Sequence, residues 1–339
     1  MTNIRDIAKQ ANVSIATVSR VFNSHDSVGE ATRQLVWQAA HDLGYPLEKI
    51  KSTPPISRSV LVLTRDADGD EPDNGLSREF ERNVWVGVQA VFDEHGISTR
   101  LQRSKMRVED ALQYAEDATI SGLVLLGGIL NTDFLEQLKA KDLPFVVVGA
   151  YAPSLKVNCV MADVMDGMRQ VVRHLAEQGR KQIVFVNGPA TTATSTAKLD
   201  GFQLELSRHA LPFSPERVMT ADFSPESGYG RTKELLARHS SLDALIYADD
   251  VIAIGGLRAL SEAGLRVPQD VAVVSFGDLE VGRYATPSLS SVHYDMPLMG
   301  NIAARRLSML LDEPDPTHWV VMRPTSLIVR ESSMPKSNL

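Results

Sequence analysis

The chain has 339 residues, 43% of them hydrophobic and 23% charged, which is more than one ordinary domain needs and too apolar for a disordered class. It holds no run of about 18 apolar residues, so no membrane span is expected, and MTNIRDIAKQ lacks the basic flank and greasy core of a secretion signal. The net charge of −7 is uneven: residues 1–58 hold seven Lys and Arg against five Asp and Glu, a net +2, which leaves −9 on the rest. A mildly basic head on an acidic body suits a polyanion-binding module joined to a unit that does not itself bind DNA.

The first predicted element is IRDIAKQA, with Ile4, Ile7, Ala8 and Ala11 on one helical stripe. Asn12 and Val13 interrupt it, and Ser14 then reads as the cap of a second helix, its hydroxyl accepting from the next turn. In VSIATVSRVFN, Ala16, Val18 and Val21 are expected to point inward, leaving Ile15, Thr17, Ser19, Arg20 and Asn23 on the rim or outside. A third helix follows over roughly 29–43, with Ala31, Leu35, Val36, Ala39 and Leu43 on its stripe. Two short helices joined by a tight turn and braced by a third form a helix-turn-helix head, unless they are only a three-helix cap with a polar face. A helix that enters the major groove must avoid bulk and carry hydroxyls and a few base readers. Arg20 can fork onto guanine, and Ile15 and Ala16 can touch thymine methyl groups.

Beyond residue 58, short apolar runs alternate with helical patterns. SVLVLT, GLVLLG, PFVVVG, QIVFVNG, DALIYAD and VAVVSFG read as buried strands. VWVGVQAVFDEHG, DGMRQVVRHLAEQG, SGYGRTKELLARH and VIAIGGLRALSEAG read as amphipathic helices. That alternation predicts an α/β body of parallel sheets covered on both faces, and its length suggests two sheets with a cleft between them. The single cysteine, Cys159, lies in the apolar run VNCVMA and is expected to be buried and inert. One cysteine allows no intrachain disulfide, which suits a reducing cytoplasm.

Catalysis is not expected, because no nucleophile, base and orienter can be assembled and the usual catalytic and phosphate-binding motifs are absent. The eight histidines are scattered without a metal-like partner at i+3 or i+4, so no metal or cofactor is expected. His174 and His239, near predicted helix ends, are explained by interaction with the helix dipole.

The run DIAKQANVSIATVSRVFN followed by TRQLVWQAAHDLGY resembles the DNA-binding head of the lactose/galactose repressor family. By that resemblance Ile15, Ala16 and Arg20 occupy base-reading positions, Thr17, Ser19 and Asn23 hold the DNA backbone or brace the helix, and Ser14 belongs to the same DNA-binding set. The resemblance extends over nearly the whole chain through VNGP, SGY, ADDVIAIGGLRALSEAGLRVPQDVAVVSFGD and SLIVRESS, with residues 64–80 the least matched. It implies a two-lobed body like a periplasmic binding protein, with a head at 1–45, a linker at 46–58 and a body at 59–339. The first lobe would take about 59–160 and 290–320, and the second about 161–289 and 321–330.

The resemblance also implies an effector in the cleft, beyond the carboxyl ends of the strands. Asp250 falls where the family places an acceptor for sugar hydroxyls, with Asp249 capping or assisting; either could be only the helix cap. Lys198 stands where the family usually has arginine, exchanging a fork for one flexible point contact. Phe223 falls where an aromatic stacks on a sugar ring, or else anchors a loop. Asp163 is a cap, a ligand contact or both, and Phe80 and Phe276 are apolar walls or core. FSPESGY and SFGDLEVGRYATPSLSSV are similar to repressors of galactoside operons, which points to a galactoside effector. The resulting expectation is a homodimeric repressor of double-stranded operator DNA with a sugar-like effector and no membrane partner. The alternatives are a DNA binder that ignores ligands and a sugar-binding module without regulation.

The linker departs from the family. YPLEKIKSTPPISRSV places Pro54 where a leucine normally wedges into the minor groove, with Pro55 behind it, and proline inside a helix costs about 3 kcal/mol. Operator DNA is therefore expected to bend little, and replacing Pro54 with Leu and Pro55 with Ala to tighten operator binding. A large bend by the natural sequence in a gel phasing assay would count against this, with Leu47 or Ile50 having taken over the wedge.

Overall fold

Asn3 opens the first helix, α1 (Ile4–Gln10), by accepting from the N–H groups of Arg5 and Asp6 while the Asp6 side chain accepts from its own N–H. This reciprocal cap satisfies donors that a first turn leaves open. The following turn passes through Asn12 at φ 53, a left-handed conformation that asparagine tolerates better than most residues. Ser14 then caps α2 (Ile15–Phe22), its Oγ accepting the Thr17 N–H at 3.0 Å, as the sequence predicts. With α3 (Glu30–Asp42), these helices enclose Ile7, Val18, Val21, Phe22, Val36 and Trp37. The Phe22 ring lies 5.2 Å from Trp37 and 5.8 Å from Tyr45.

The computed structural model describes residues 3–22, 28–45, 59–65, 78–127, 131–151, 153–238 and 242–334. Asn23, His239 and the linker at 46–58 with Pro54 and Pro55 lie outside the described residues. Three expectations for the head change. Ala16 is exposed rather than inward, because two steps of about 100° carry it away from Val18. Ala31 is also exposed, and Leu35 is 57% exposed. The buried stripe of α3 is rotated toward Trp37 and Ala40, where a large ring fills the core better than Leu35 would.

The chain divides into two compact units, Met1–Ser59 and Val60–Leu339. The second contains two six-stranded sheets. One lobe is built on β1 (Ser59–Arg65), β2 (Ser98–Ser104), β3 (Ile120–Leu126), β4 (Phe145–Val148), β5 (Cys159–Ala162) and β11 (Val320–Arg323), in the order β11-β5-β4-β3-β1-β2. The other uses β6 (Ile183–Asn187), β7 (Val218–Thr220), β8 (Ala244–Tyr247), β9 (Ala272–Gly277), β10 (Ser290–His293) and β12 (Ser326–Ile328), in the order β12-β10-β9-β8-β6-β7. Strands β4, β8 and β9 are buried along their whole length, which is why their sequences run apolar without alternation. The pairings β3–β4, β4–β5, β5–β11, β6–β7, β6–β8, β8–β9 and β9–β10 are parallel, and β12 joins β10 antiparallel.

On the first sheet, α4 (Arg78–Glu94) and α12 (Met296–Asp312) cover one face, where Val60 and Val62 point. α5 (Val108–Glu116) and α6 (Thr132–Ala140) cover the other, toward which Leu61 and Leu63 point. Cys159 is buried there, and desolvation pushes its thiol up to about 11, well away from reactivity. On the second sheet, α7 (Val164–Glu177) packs with α8 (Ala193–Arg208), and α9 (Pro225–Arg238) with α10 (Asp250–Glu262).

The chain passes between lobes after β5, after β10 and after β11. The lobe edges therefore differ from the expected ones: 290–293 is a strand of the second sheet, and residues 321–323 belong to the first. Parallel pairing of β10 with β9, and of β11 with β5, decides this. Two helix pairs approach so closely that only glycine fits. A Cβ on Gly87 would lie 1.8 Å from the Pro297 carbonyl oxygen, and one on Gly255 1.8 Å from that of Pro225.

Gly255→Ala is expected to destabilise the body by about 1–3 kcal/mol through overpacking, and to lower the melting temperature by several degrees. Gly230→Ala, on α9 with open space around it, is the control and should melt at or above the parent. Equal melting of Gly255→Ala and the parent would show that the α9–α10 contact yields freely.

Candidate DNA-reading head and effector cleft

Helix α2 presents Ile15, which is 50% exposed, together with exposed Ala16, Ser19 and Arg20. Thr17 is half-buried, and its Oγ1 lies 2.8 Å from the Ser14 Oγ. Ser14 and Thr17 thus share the cap, while Ile15, Ala16 and Arg20 are outward-facing, as a base-reading surface requires.

In the body, the other candidate residues gather mainly at the carboxyl ends of the second sheet's strands. Lys198, on α8, is 5% exposed; its Nζ donates to the Ala248 carbonyl at 2.7 Å and lies 4.7 Å from the centre of the Phe276 ring. Phe276, in β9, is fully buried and serves as the floor beneath that ammonium. Phe223 is half-buried against Gly188, where a Cβ would meet its Cζ at 2.8 Å. Asp249 follows β8, is half-buried, and caps α10 by accepting the Val251 N–H at 2.7 Å. Phe80 stands in the first turn of α4 on the other lobe, its ring against Gly149. Asp163 is placed at the first crossing between lobes: it caps α7 through the Asp166 N–H at 2.9 Å, and its carbonyl accepts from Thr325 Oγ1 at 3.1 Å. Its geometry is that of a hinge cap.

The expectation for Asp250 is corrected. It is 0% exposed, and its carboxylate is already engaged by three donors. Oδ1 accepts from the hydroxyls of Ser275 and, at 2.7 Å, Ser291; Oδ2 accepts from the Leu279 N–H at 2.5 Å. In this arrangement Asp250 offers no surface to a ligand and instead ties β9 and β10 to the start of α10. A fully buried carboxylate needs such donors, and its sequence position beside Asp249 gives no sign of which of the two turns inward.

Sequence reasoning passed over Asp278, Tyr294 and Glu79. Asp278 follows β9 at φ 53, is 8% exposed, and pairs with Arg283 at 2.9 Å, His293 at 3.1 Å and Arg330. Tyr294 follows β10; burial, then Asp249 and Asp250, push its phenol well above the usual range. Both follow directly on strand ends: Asp278 on the predicted strand VAVVSFG, and Tyr294 on SSVH, whose serines give no strand pattern.

A three-helix unit with an exposed second helix, followed by two parallel-sheet lobes with polar and aromatic groups at the strand ends, is the build of a DNA-binding regulator with a ligand-binding type of body. Residues 3–46 match the bacterial regulatory proteins of the lacI family, and residues 172–333 a periplasmic binding protein-like domain. The regulator CelR of Thermobifida fusca is 30% identical over 332 residues, covering 96% of each chain. Among solved structures, the CelR–cellobiose complex aligns at TM-score 0.74 and 29% identity, covering 98% of this chain and all of that one. The Lac repressor dimer bound to operator and the anti-inducer ONPF aligns at TM-score 0.74 and 25% identity, covering 98% and 99%. The chain belongs to the lacI family and is a DNA-binding transcriptional regulator. Among the described residues no helix is long and apolar enough to cross a membrane, and no group of side chains could hold a metal ion.

Burial, with Asp249 beside it, pushes the Asp250 carboxyl up to about 7 against the pull of Ser275, Ser291 and Leu279. Burial likewise raises Asp249 to about 6, opposed by the Val251 N–H and Lys198, and draws Lys198 down to about 8 against both acids. A carboxyl raised in the folded state contributes stability below its usual 3.8 that is lost as pH climbs to about 7. An ammonium lowered in the folded state makes stability recover between about 8 and 10.5. Relative to the parent, Asp250→Asn should therefore flatten the fall in melting temperature between pH 4 and 7, and Lys198→Met the rise above pH 8. Unchanged pH profiles in both variants would place these groups in water.

Proposed function

We propose that the chain is a homodimeric repressor in the cytoplasm whose grip on operator DNA is controlled by a small sugar or related polyol held between the two lobes. The observation that carries this reading is the gathering of Lys198, Asp249 and Phe223 at the strand ends of one lobe, above the buried Phe276, with Phe80 on the other. Aromatic faces and a few fixed polar groups suit a ring with hydroxyl edges. The likeness to CelR, solved with cellobiose, and to the Lac repressor dimer, solved on operator, supports the same reading. One head buries too little surface for tight binding, which favours two heads on a near-palindromic site. Ligand would favour one lobe arrangement over another and so shift the population that fits the operator.

The internal satisfaction of Asp250, and of Lys198 by the Ala248 carbonyl, favours a second reading: a regulator that ignores small ligands. A thermal-shift panel of cellobiose, galactose, lactose and purine nucleosides, with and without operator DNA, separates the two. The first reading expects a sugar to raise the melting temperature and alter operator retention; silence across the whole panel supports the second, and a shift by a nucleoside alone counts against both. For the head, Arg20→Ala should cost about 1–3 kcal/mol of operator discrimination while weak, salt-sensitive DNA binding survives. Operator affinity within about twofold of the parent would show that Arg20 does not read a base.

A further inference from the structure

We propose that Glu79 is an interlobe latch: its carboxylate, on the first lobe, accepts the backbone N–H of Glu280 on the second, and so sets how readily the cleft opens. Three consecutive N–H groups leave the end of β9. That of Asp278 donates to Ser291 Oγ at 2.9 Å, and that of Leu279 to Asp250 Oδ2 at 2.5 Å. Both acceptors lie within the second lobe. The third, from Glu280, donates to Glu79, at 3.0 Å to Oε1 and 3.3 Å to Oε2. Glu79 stands in the first turn of α4, so this bond spans the two lobes.

Glu280 begins the short helix α11 (Glu280–Arg283), where an N–H has no partner one turn back. Glu79 supplies the acceptor that the helix itself lacks. Beneath this bond, Leu279 and Val251 of the second lobe pack into the apolar cluster of the first, beside Val84, Val88 and Met296. The apolar contact draws the lobes together, and Glu79 fastens them at the exposed edge. A charged acceptor makes the bond stronger than a neutral one, and water competes with it at every opening. Its loss should therefore change an opening equilibrium several-fold without abolishing closure. Glu79 immediately precedes Phe80, whose ring packs on Gly149 within the first lobe. It acts as a positioning residue, with no contact to a ligand required.

The effect on effector response rests on the cleft being the effector site; the latch itself does not. Amide hydrogen exchange, read residue by residue on the full chain without ligand, tests it directly. Glu79→Ala should speed exchange at Glu280 about fivefold or more, with Asp278 and Leu279 unchanged. Glu79→Asp keeps the charge in the first turn of α4 and shortens the reach by one methylene, so it should behave like the alanine variant. Glu79→Gln retains an acceptor oxygen and should keep most of the protection. Unchanged exchange at Glu280 in both Glu79→Ala and Glu79→Asp overturns the latch, as does equal loosening of all three amides in Glu79→Asp. Thermal shifts with cellobiose and galactose on the same variants then bear only on the effector: if neither sugar shifts the parent, that reading fails while the exchange result stands.

Discussion

A carboxylate taken wholly out of water must be met by donors, and the donors that meet Asp250 organise the mouth of the second lobe. Ser275 comes from β9, Ser291 from β10 and the Leu279 N–H from the corner between them. One side chain at the start of α10 thereby fixes the ends of two strands and the corner that carries Asp278, Leu279 and Glu280. Every group assigned to the cleft on this side is placed relative to that corner. Removing Asp250 would leave the Leu279 N–H without this acceptor at a buried corner, which is why such a network holds a single arrangement rather than several.

The chemistry around the cleft follows from what this frame leaves over. Asp249 spends one oxygen on the α10 cap and keeps partial exposure, whereas Lys198 lies on the Phe276 ring and donates to the Ala248 carbonyl. One ammonium beside two acids, with aromatic faces nearby, gives a site of low net charge. An arginine in place of Lys198 would reach two acceptors at once, and the single contact of lysine makes the site less exacting in orientation.

Both lobes use one packing device. Helix pairs α4–α12 and α9–α10 touch backbone to backbone at glycines, which gives each lobe a stiff outer layer. Stiff lobes move as bodies, and the bending falls to the three crossings. Asp163 caps α7 at one of these and accepts from Thr325 at another, so two crossings are tied together. Among the described residues, opening must part Leu279, Val251 and Val281 from the first lobe's apolar cluster and break the Glu79–Glu280 bond.

The head's three helices, the Ser14 cap, the outward Ile15 and Arg20, and six of the strands were legible from local pattern. Capping needs only neighbours in sequence, and a fully buried parallel strand announces itself by an unbroken apolar run. Strands β2, β5, β7, β10, β11 and β12, and helices α5, α6, α8, α11 and α12, were not, because edge strands such as STRLQRS are mostly exposed and SSVH is buried through its serines. Family resemblance placed Lys198, Phe223 and Asp249 near one another, which spacing alone could not do. The sequence by itself determined a helix-turn-helix head, an α/β body and the residue types at the strand ends, since these follow from periodicity and local caps. Only the tertiary structure decided that Asp250 turns inward, that Asp278 holds Arg283, Arg330 and His293, and that Glu79 meets Glu280. Each of those depends on which distant donors and acceptors the fold brings within hydrogen-bond reach, and no local pattern encodes that.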